Sequence, residues 1–129
     1  MSEIRGVVVA HGNLASCLVD TAEGIAGATE AVVPISNADC GREELEVRIR
    51  DAVGGEPAVV FVDLASGSCA HAARLATRNA PDACVVTGVN LPMLLDFVFH
   101  RDMPLSELMD RLGAKGQSGI KAYRSDPTE

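Results

Sequence analysis

The feature that most constrains the fold is the alternation of short apolar runs with segments of helical apolar spacing. Four such runs occur, and each is followed by a segment whose apolar residues recur at helical intervals. We predict strands at residues 4–10, 31–35, 58–62 and 84–87. Strands that alternate with helices form an open, mostly parallel sheet with helices on both faces. The chain is therefore predicted to be a doubly wound α/β protein with a four-stranded sheet.

The helices that separate these strands are predicted at residues 14–25, 43–53, 70–78 and 93–99, with a last one within 104–112. A short apolar run at 119–123 is predicted as an extra C-terminal edge strand. The chain of 129 residues contains no internal repeat or low-complexity segment. We therefore expect one domain over residues 1–124 and a flexible tail over 125–129.

Composition excludes several classes of protein. Hydrophobic residues make up 47% of the chain and aromatic residues only 3%, so the core must consist of aliphatic side chains, as in buried parallel strands. A net charge of −7 argues against a nucleic-acid-binding protein. No apolar run approaches the roughly 18 residues that span a membrane. The four cysteines form no C-x-x-C pair and follow no signal peptide, so we expect reduced thiols in a cytoplasmic protein.

Chemistry in open α/β sheets takes place beyond the carboxyl ends of the strands. A histidine, an aspartate, several small residues and an asparagine follow the predicted strands and are expected to converge there. The segments after the four strands are His11-Gly12-Asn13, Ser36-Asn37-Ala38-Asp39, Asp63-Leu64-Ala65-Ser66-Gly67-Ser68 and Gly88-Val89-Asn90-Leu91-Pro92.

His11 is the strongest candidate for a reactive side chain. A neutral imidazole is a nucleophile when one ring nitrogen is free and the other is held as N–H by an acceptor. Asp63 is a suitable acceptor. If the group transferred is a phosphoryl group, backbone N–H groups at Gly12–Leu14 and Gly67–Ser68 can donate hydrogen bonds to its oxygens. The same residues also have purely structural interpretations, since His11 could be a loop residue, Asp63 a turn cap and Ser68 a helix N-cap.

Three segments resemble a known family. The segment VVVAHGNLASCL at 7–18 resembles the active-site segment of the IIA component of the mannose-type phosphotransferase system. The segments FVDLASGS at 61–68 and TGVNLPMLL at 87–95 resemble two further segments of that family, in the same order and at similar distances. The resemblance covers nearly the whole chain.

The resemblance implies a phosphocarrier of the phosphoenolpyruvate-dependent sugar phosphotransferase system. His11 would accept a phosphoryl group from the phosphohistidine of the carrier protein HPr and donate it to a histidine of a IIB domain. Asp63 would hold the His11 ring. The implied phosphoryl-binding residues are Gly12, Asn13, Gly67 and Ser68, and the implied rim and partner-binding residues are Asn90, Leu91, Pro92 and Met93.

The resemblance also implies a homodimer in which the C-terminal strand crosses to the partner. It implies no cofactor or metal, and contact with a membrane only indirectly through IIC and IID subunits. We expect the IIB partner, if there is one, to be a separate protein. A purely regulatory role is compatible with the same chemistry, and the sugar is not specified.

One segment departs from the family pattern D-x-x-G-G-S-P. Ser66 stands in place of its first glycine and Cys69 in place of its proline, which affects the shape of the expected phosphoryl-binding loop.

The same sequence features bear on several other classes of protein. A phosphocarrier subunit of a dihydroxyacetone kinase system would use the same histidine chemistry, and a non-catalytic interaction domain would use none. A receiver domain lacks support because His11-Gly12 stands where acidic residues would bind Mg²⁺. A serine hydrolase lacks its G-x-S-x-G motif, and a nucleotide-binding module lacks its glycine motifs. A metal site at His11, Asp63, Cys69 and His71 has no strong ligand spacing.

Overall fold

The computed structural model describes residues 3–125, and within this range it contains four strands and five helices. In chain order they are β1 (Arg5–Ala10), α1 (Leu14–Ala26), β2 (Val32–Ser36), α2 (Arg42–Val53), β3 (Ala58–Val62), α3 (Ser68–Thr77), β4 (Ala83–Thr87), α4 (Leu91–Phe99) and α5 (Leu105–Ser118). The strands are parallel, in the order β2-β1-β3-β4. The predicted doubly wound α/β fold is confirmed.

The sheet separates two cores because successive side chains of a strand point to opposite faces. On one face, Val8 of β1 and Phe61 of β3 pack with α1, α4 and α5. On the other face, Val7 and Val60 pack with α2 and α3. All five residues of β3 are buried, which explains why its sequence shows no polar alternation. The aliphatic composition thus serves a sheet that helices cover on both faces.

Helix α5 is longer than predicted, since it continues to Ser118 rather than ending near residue 112. A glycine usually weakens a helix, but Gly116 allows α5 to approach α4 closely. A Cβ atom at Gly116 would lie 2.7 Å from the Met93 Cε atom. In addition, the Asn90 Nδ2 atom donates a hydrogen bond of 3.0 Å to the Gly116 carbonyl oxygen. Tertiary packing therefore extends a helix that local propensity would end.

Residues 119–123 do not form a strand in the described chain, in contrast to the predicted C-terminal edge strand. These residues continue from the end of α5, and two of them are apolar and exposed. Ile120 is 75% exposed and Tyr123 is 86% exposed. Pairing of this segment with a second copy of the chain stays a prediction. Most of the predicted tail, residues 126–129, lies outside the described residues.

The order of the strands reverses between β1 and β3, in the middle of the sheet. From β1 the chain crosses to β2 on one side, whereas from β3 it crosses to β4 on the other side. The segments that follow the neighbouring strands β1 and β3 therefore diverge, and the space between them is where doubly wound proteins bind their ligands. His11 follows β1 after Ala10, and Asp63 follows β3 directly.

Candidate functional site

The centre of the site is a contact between His11 and Asp63. The Asp63 Oδ2 atom lies 2.8 Å from His11 Nδ1 and also accepts a hydrogen bond of 3.0 Å from the His11 backbone N–H. The other oxygen, Oδ1, accepts a hydrogen bond of 2.9 Å from the Leu64 N–H. Both oxygens of the carboxylate are therefore fixed, and the carboxylate in turn fixes the imidazole ring.

This contact determines which ring nitrogen is available. Because a carboxylate accepts hydrogen bonds, the neutral His11 ring carries its proton on Nδ1 and its lone pair on Nε2. The His11 side chain is 43% exposed, whereas the Asp63 side chain is only 10% exposed. In its neutral form the imidazole therefore has Nε2 free, and the less exposed Asp63 carboxylate lies at Nδ1.

Asp63 is an ionised carboxylate in this environment. Burial is the largest influence on the pKa of Asp63 and acts to raise it. The hydrogen bonds from the His11 side chain and backbone, the His11 charge and the Leu64 N–H together outweigh burial, so the pKa of Asp63 lies below its ordinary value. Asp63 therefore remains negatively charged throughout the neutral range.

The turn that carries His11 is held by two residues that the sequence places near the site but to which it gives no specific role. The Gly12 N–H donates to Asn37 Oδ1 at 3.1 Å, and the Ser36 hydroxyl donates to the Gly12 carbonyl oxygen at 2.6 Å. Gly12 adopts a φ of 60°, which favours glycine. The Gly12 N–H, an expected phosphoryl donor, is thus already engaged. The available signal was position, since Ser36 is the last residue of β2, the strand next to β1, and Asn37 follows it.

The N-terminus of α3 lies beside His11. The Cys69 Sγ atom is 3.8 Å from His11 Nδ1, which places the first turn of the helix at the site. Ser68 is the first residue of α3 and Gly67 precedes it with a φ of 101°, so the prediction of Ser68 as the N-cap is wrong. The first N–H groups of a helix have no intrahelical acceptor and attract anions. A Cβ at Gly67 would meet no atom within 4 Å, so space is open there.

The predicted rim residues differ in what they can contact. Met93 is 4% exposed and belongs to the core, and Asn90 uses its side chain to cap α4 through the Met93 N–H at 3.1 Å. Leu91 is half-buried and packs against the core, whereas Pro92 is exposed. Asn13, predicted to contact the phosphoryl group, is exposed and precedes α1 without a capping hydrogen bond from its side chain.

Cys69 introduces sulfur into the centre of the site. Burial and, next, the neighbouring Asp63 carboxylate raise the pKa of the Cys69 thiol above its ordinary value, so it is uncharged at neutral pH. The potential ligand atoms of His11, Asp63 and Cys69 all lie within 4.8 Å of one another. His71, the fourth residue in the metal interpretation, is exposed and does not belong to this group.

Fold and site together define a class: doubly wound α/β proteins with a histidine–carboxylate pair at the reversal of strand order. Within that class, the chain belongs to the EIIA-man family, because the family model described as PTS system fructose IIA component matches residues 6–112. The family resemblance inferred from the three sequence segments is confirmed.

Known relatives agree with this assignment. The chain is 31% identical over 130 aligned residues to the PTS system mannose-specific EIIAB component of Escherichia coli K12, with 95% of this chain and 40% of the relative covered. The chain thus spans about two fifths of the length of the curated relatives it matches. The solved structure of phosphotransferase system component EIIA from Streptococcus agalactiae is 28% identical, with a TM-score of 0.85, covering 92% of this chain and 96% of that one.

A second solved structure is similar over most of its length. The PTS IIA protein associated with the fucose utilization operon of Streptococcus pneumoniae is 26% identical, with a TM-score of 0.74 and 94% of each chain covered.

Family membership makes this chain a component of a phosphotransferase system. Among residues 3–125, no helix combines the length and apolar character needed to cross a membrane.

Proposed function

We propose that this protein is a phosphocarrier that accepts a phosphoryl group on Nε2 of His11 and passes it to an acceptor histidine. The observation that carries the proposal is the 2.8 Å contact between His11 Nδ1 and Asp63 Oδ2. It fixes the tautomer that leaves Nε2 nucleophilic on a ring that is 43% exposed. Family membership supports a phosphotransferase role, and the geometry of the pair supports His11 as the residue that performs it.

The reaction is a direct transfer between two nitrogen atoms. The His11 Nε2 lone pair attacks the phosphorus of a donor phosphohistidine, a new N–P bond forms and the donor N–P bond breaks. The electron pair of the broken bond returns to the donor imidazole. His11 keeps its proton on Nδ1, so the phosphorylated ring carries a positive charge that the Asp63 carboxylate, 2.8 Å away, stabilises.

The phosphoryl oxygens require hydrogen-bond donors close to His11. The first turn of α3 offers N–H groups that lack intrahelical acceptors, and Cys69 of that turn contacts the His11 ring at 3.8 Å. The Ser68 hydroxyl is a further donor at the same helix end. We propose that Gly67 and Ser68 bind the phosphoryl group, while Gly12 and Asn13 shape the turn that presents it.

The partners follow from the family. We propose HPr as the donor and a IIB domain as the acceptor, since the Escherichia coli relative is named as an EIIAB component. Contact with a membrane would be indirect, through IIC and IID subunits. We place the protein in the cytoplasm because its four cysteines are free, as in a reducing compartment. The phosphorylated state of His11 could serve transport or act as a regulatory signal.

We also propose a homodimer in which residues 119–123 add a strand to the sheet of the partner. The exposed apolar side chains Ile120 and Tyr123 in an unpaired segment support this proposal, because monomers rarely leave such a segment uncovered.

A phosphotransfer assay tests the proposed function. The protein is mixed with phosphoenolpyruvate, enzyme I and HPr, and acid-labile, base-stable phosphate is measured on it. We expect label on the wild type, none on His11→Ala, and full label on His71→Ala, the matched control with an exposed histidine on α3. Label on His11→Ala would disprove the assignment. Absence of label on the wild type, with HPr phosphorylated in the same mixture, would favour a non-catalytic interaction domain.

A further inference from the structure

We propose that His11, Asp63 and Cys69 form a binding site for a single zinc ion, and that zinc bound there prevents His11 from accepting a phosphoryl group. The metal site is independent of the phosphocarrier role, whereas the inhibition rests on the proposed function. The inference starts from the position of Cys69, whose sulfur points to the His11–Asp63 pair rather than into the core alone.

The three side chains supply suitable donor atoms. Zinc is bound in proteins by imidazole nitrogen, carboxylate oxygen and cysteine sulfur, at about 2.0–2.3 Å from each. One atom of each kind is present, and their mutual distances do not exceed 4.8 Å. This mixture, with a thiolate as the soft ligand, favours zinc over magnesium or calcium, which take oxygen ligands.

Two of the three interatomic distances are close to those of a tetrahedral site, and the third, between Cys69 Sγ and the Asp63 carboxylate, is within 4.8 Å. In a tetrahedral site, nitrogen and sulfur ligands of one zinc ion lie about 3.6 Å apart, and nitrogen and oxygen ligands about 3.4 Å apart. His11 Nδ1 and Cys69 Sγ are 3.8 Å apart, and His11 Nδ1 and Asp63 Oδ2 are 2.8 Å apart. A rotation of the exposed His11 ring that lengthens its hydrogen bond by about half an ångström opens the position for the ion.

The ion also has access from solvent and a place for a fourth ligand. The His11 side chain is 43% exposed, and a Cβ atom added at Gly12, which follows it, or at Gly67, two residues before Cys69, would meet no atom within 4 Å. Water can occupy the fourth position of a tetrahedral zinc site. Because Asp63 and a Cys69 thiolate each carry one negative charge, a divalent ion makes the site neutral.

Binding would change the chemistry of His11 through its tautomer. Zinc takes the Nδ1 lone pair, so the ring proton moves from Nδ1 to Nε2, while the Cys69 thiol releases its proton to solvent. The His11 ring then has no free lone pair with which to attack phosphorus. Asp63 is occupied by the ion and no longer stabilises a phosphorylated ring. Zinc and phosphoryl transfer would therefore exclude each other.

Cobalt(II) provides a direct probe, because a cobalt–thiolate bond gives a charge-transfer absorption band. We expect the wild type to bind one Co²⁺ with this band and to release it to Zn²⁺. Cys69→Ala and His11→Ala should bind at least about tenfold more weakly, since loss of even an outer partner of a metal ligand costs about 10- to 100-fold. Cys17→Ala, which removes an exposed cysteine outside the group, should retain both band and affinity.

Two variants are used so that the test still decides the question if Cys69→Ala does not fold. His11 is exposed, so we expect its replacement to leave the fold intact. Unchanged affinity for Co²⁺ in either variant, or loss of the band in Cys17→Ala, would overturn the metal site. Transfer from purified phospho-HPr is then measured with and without Zn²⁺, with phospho-HPr stability as the control. Zinc should reduce wild-type labelling more than Cys69→Ala labelling, and equal reduction would overturn the inhibition. Absence of wild-type label without zinc would contradict the phosphocarrier proposal, while the cobalt spectrum would still decide the metal site.

Discussion

At the scale of single residues, the proposed function of the site depends on one proton. The Asp63 carboxylate keeps that proton on His11 Nδ1, and both oxygens of the carboxylate are themselves held by backbone N–H groups. The immobile partner in the pair is therefore Asp63, and the exposed ring takes its orientation from it.

Replacement of Asp63 by asparagine should slow phosphoryl acceptance by about a hundredfold or more. The asparagine side chain can present its NH₂ group to Nδ1 and so favour the tautomer with the proton on Nε2; in a serine-protease triad the same change costs about 10⁴ in rate. The rate of transfer from phospho-HPr is the measurement, with circular dichroism as the check that the variant folds. Wild-type kinetics would remove Asp63 from the mechanism.

Acid should destabilise the wild type more than the Asp63→Asn variant. Because the folded-state pKa of Asp63 is lowered from 3.8, the native state binds fewer protons than the unfolded state as the pH falls past this value. The stabilisation by the charged pair is therefore present above about pH 4 and is lost as the pH falls through the folded-state pKa. Urea midpoints measured between about pH 5 and pH 3 should fall less in the variant. Parallel curves would contradict the lowered pKa.

At the scale of elements, the close approach of β1 to α4 gives a stability prediction. A Cβ atom at Gly6 would lie 2.5 Å from Cε2 of Phe97, a ring that is fully buried and packs edge-to-face on Phe61 with 5.1 Å between ring centroids. Because this ring has no room to move, Gly6→Ala should destabilise the protein by about 1–3 kcal/mol. Urea denaturation gives the measurement.

A control for the glycine prediction lies in α1. Gly24 is inside the helix, and a Cβ there would meet no atom within 4 Å. Gly24→Ala should therefore stabilise the protein by about 0.5–1 kcal/mol, because alanine has the higher helix propensity. The two glycine variants should therefore change the unfolding free energy in opposite directions. Destabilisation by both would mean that the close spacing of β1 and α4 does not explain the effect of Gly6→Ala.

The sequence was most informative about elements whose pattern is local. The bounds of β3 agree with the prediction at both ends because a fully apolar run preceded by proline and followed by aspartate is unambiguous. The length of α5 was mispredicted because the contact of Gly116 with Met93 comes from packing between helices. The contact of Cys69 with His11, 58 residues apart, and the hydrogen bond between Gly12 and Asn37 depend on tertiary structure, so the sequence could suggest their proximity but not the contacts themselves.

At the scale of the whole molecule, the exposed C-terminal segment predicts the oligomeric state. If residues 119–123 pair with a second copy, deletion of residues 120–129 should convert a dimer into a monomer, because the exchanged strand and the apolar Ile120 and Tyr123 side chains are lost. Deletion of residues 124–129 alone is the matched control and should leave the dimer intact. Sedimentation velocity at micromolar concentration distinguishes them. A full-length chain that sediments as a monomer would refute strand exchange.

The reversal of strand order also has a consequence during synthesis. His11 and Asp63 are 52 residues apart in the chain and meet only because β1 and β3 are neighbours in the sheet. A nascent chain emerging from the ribosome therefore exposes its histidine long before the aspartate exists to hold the ring. Until β3 has paired, the imidazole is an ordinary surface group without a fixed tautomer. The chain would thus become able to carry a phosphoryl group only when the sheet is complete. Incomplete or misfolded copies would not accept phosphoryl groups from the donor protein.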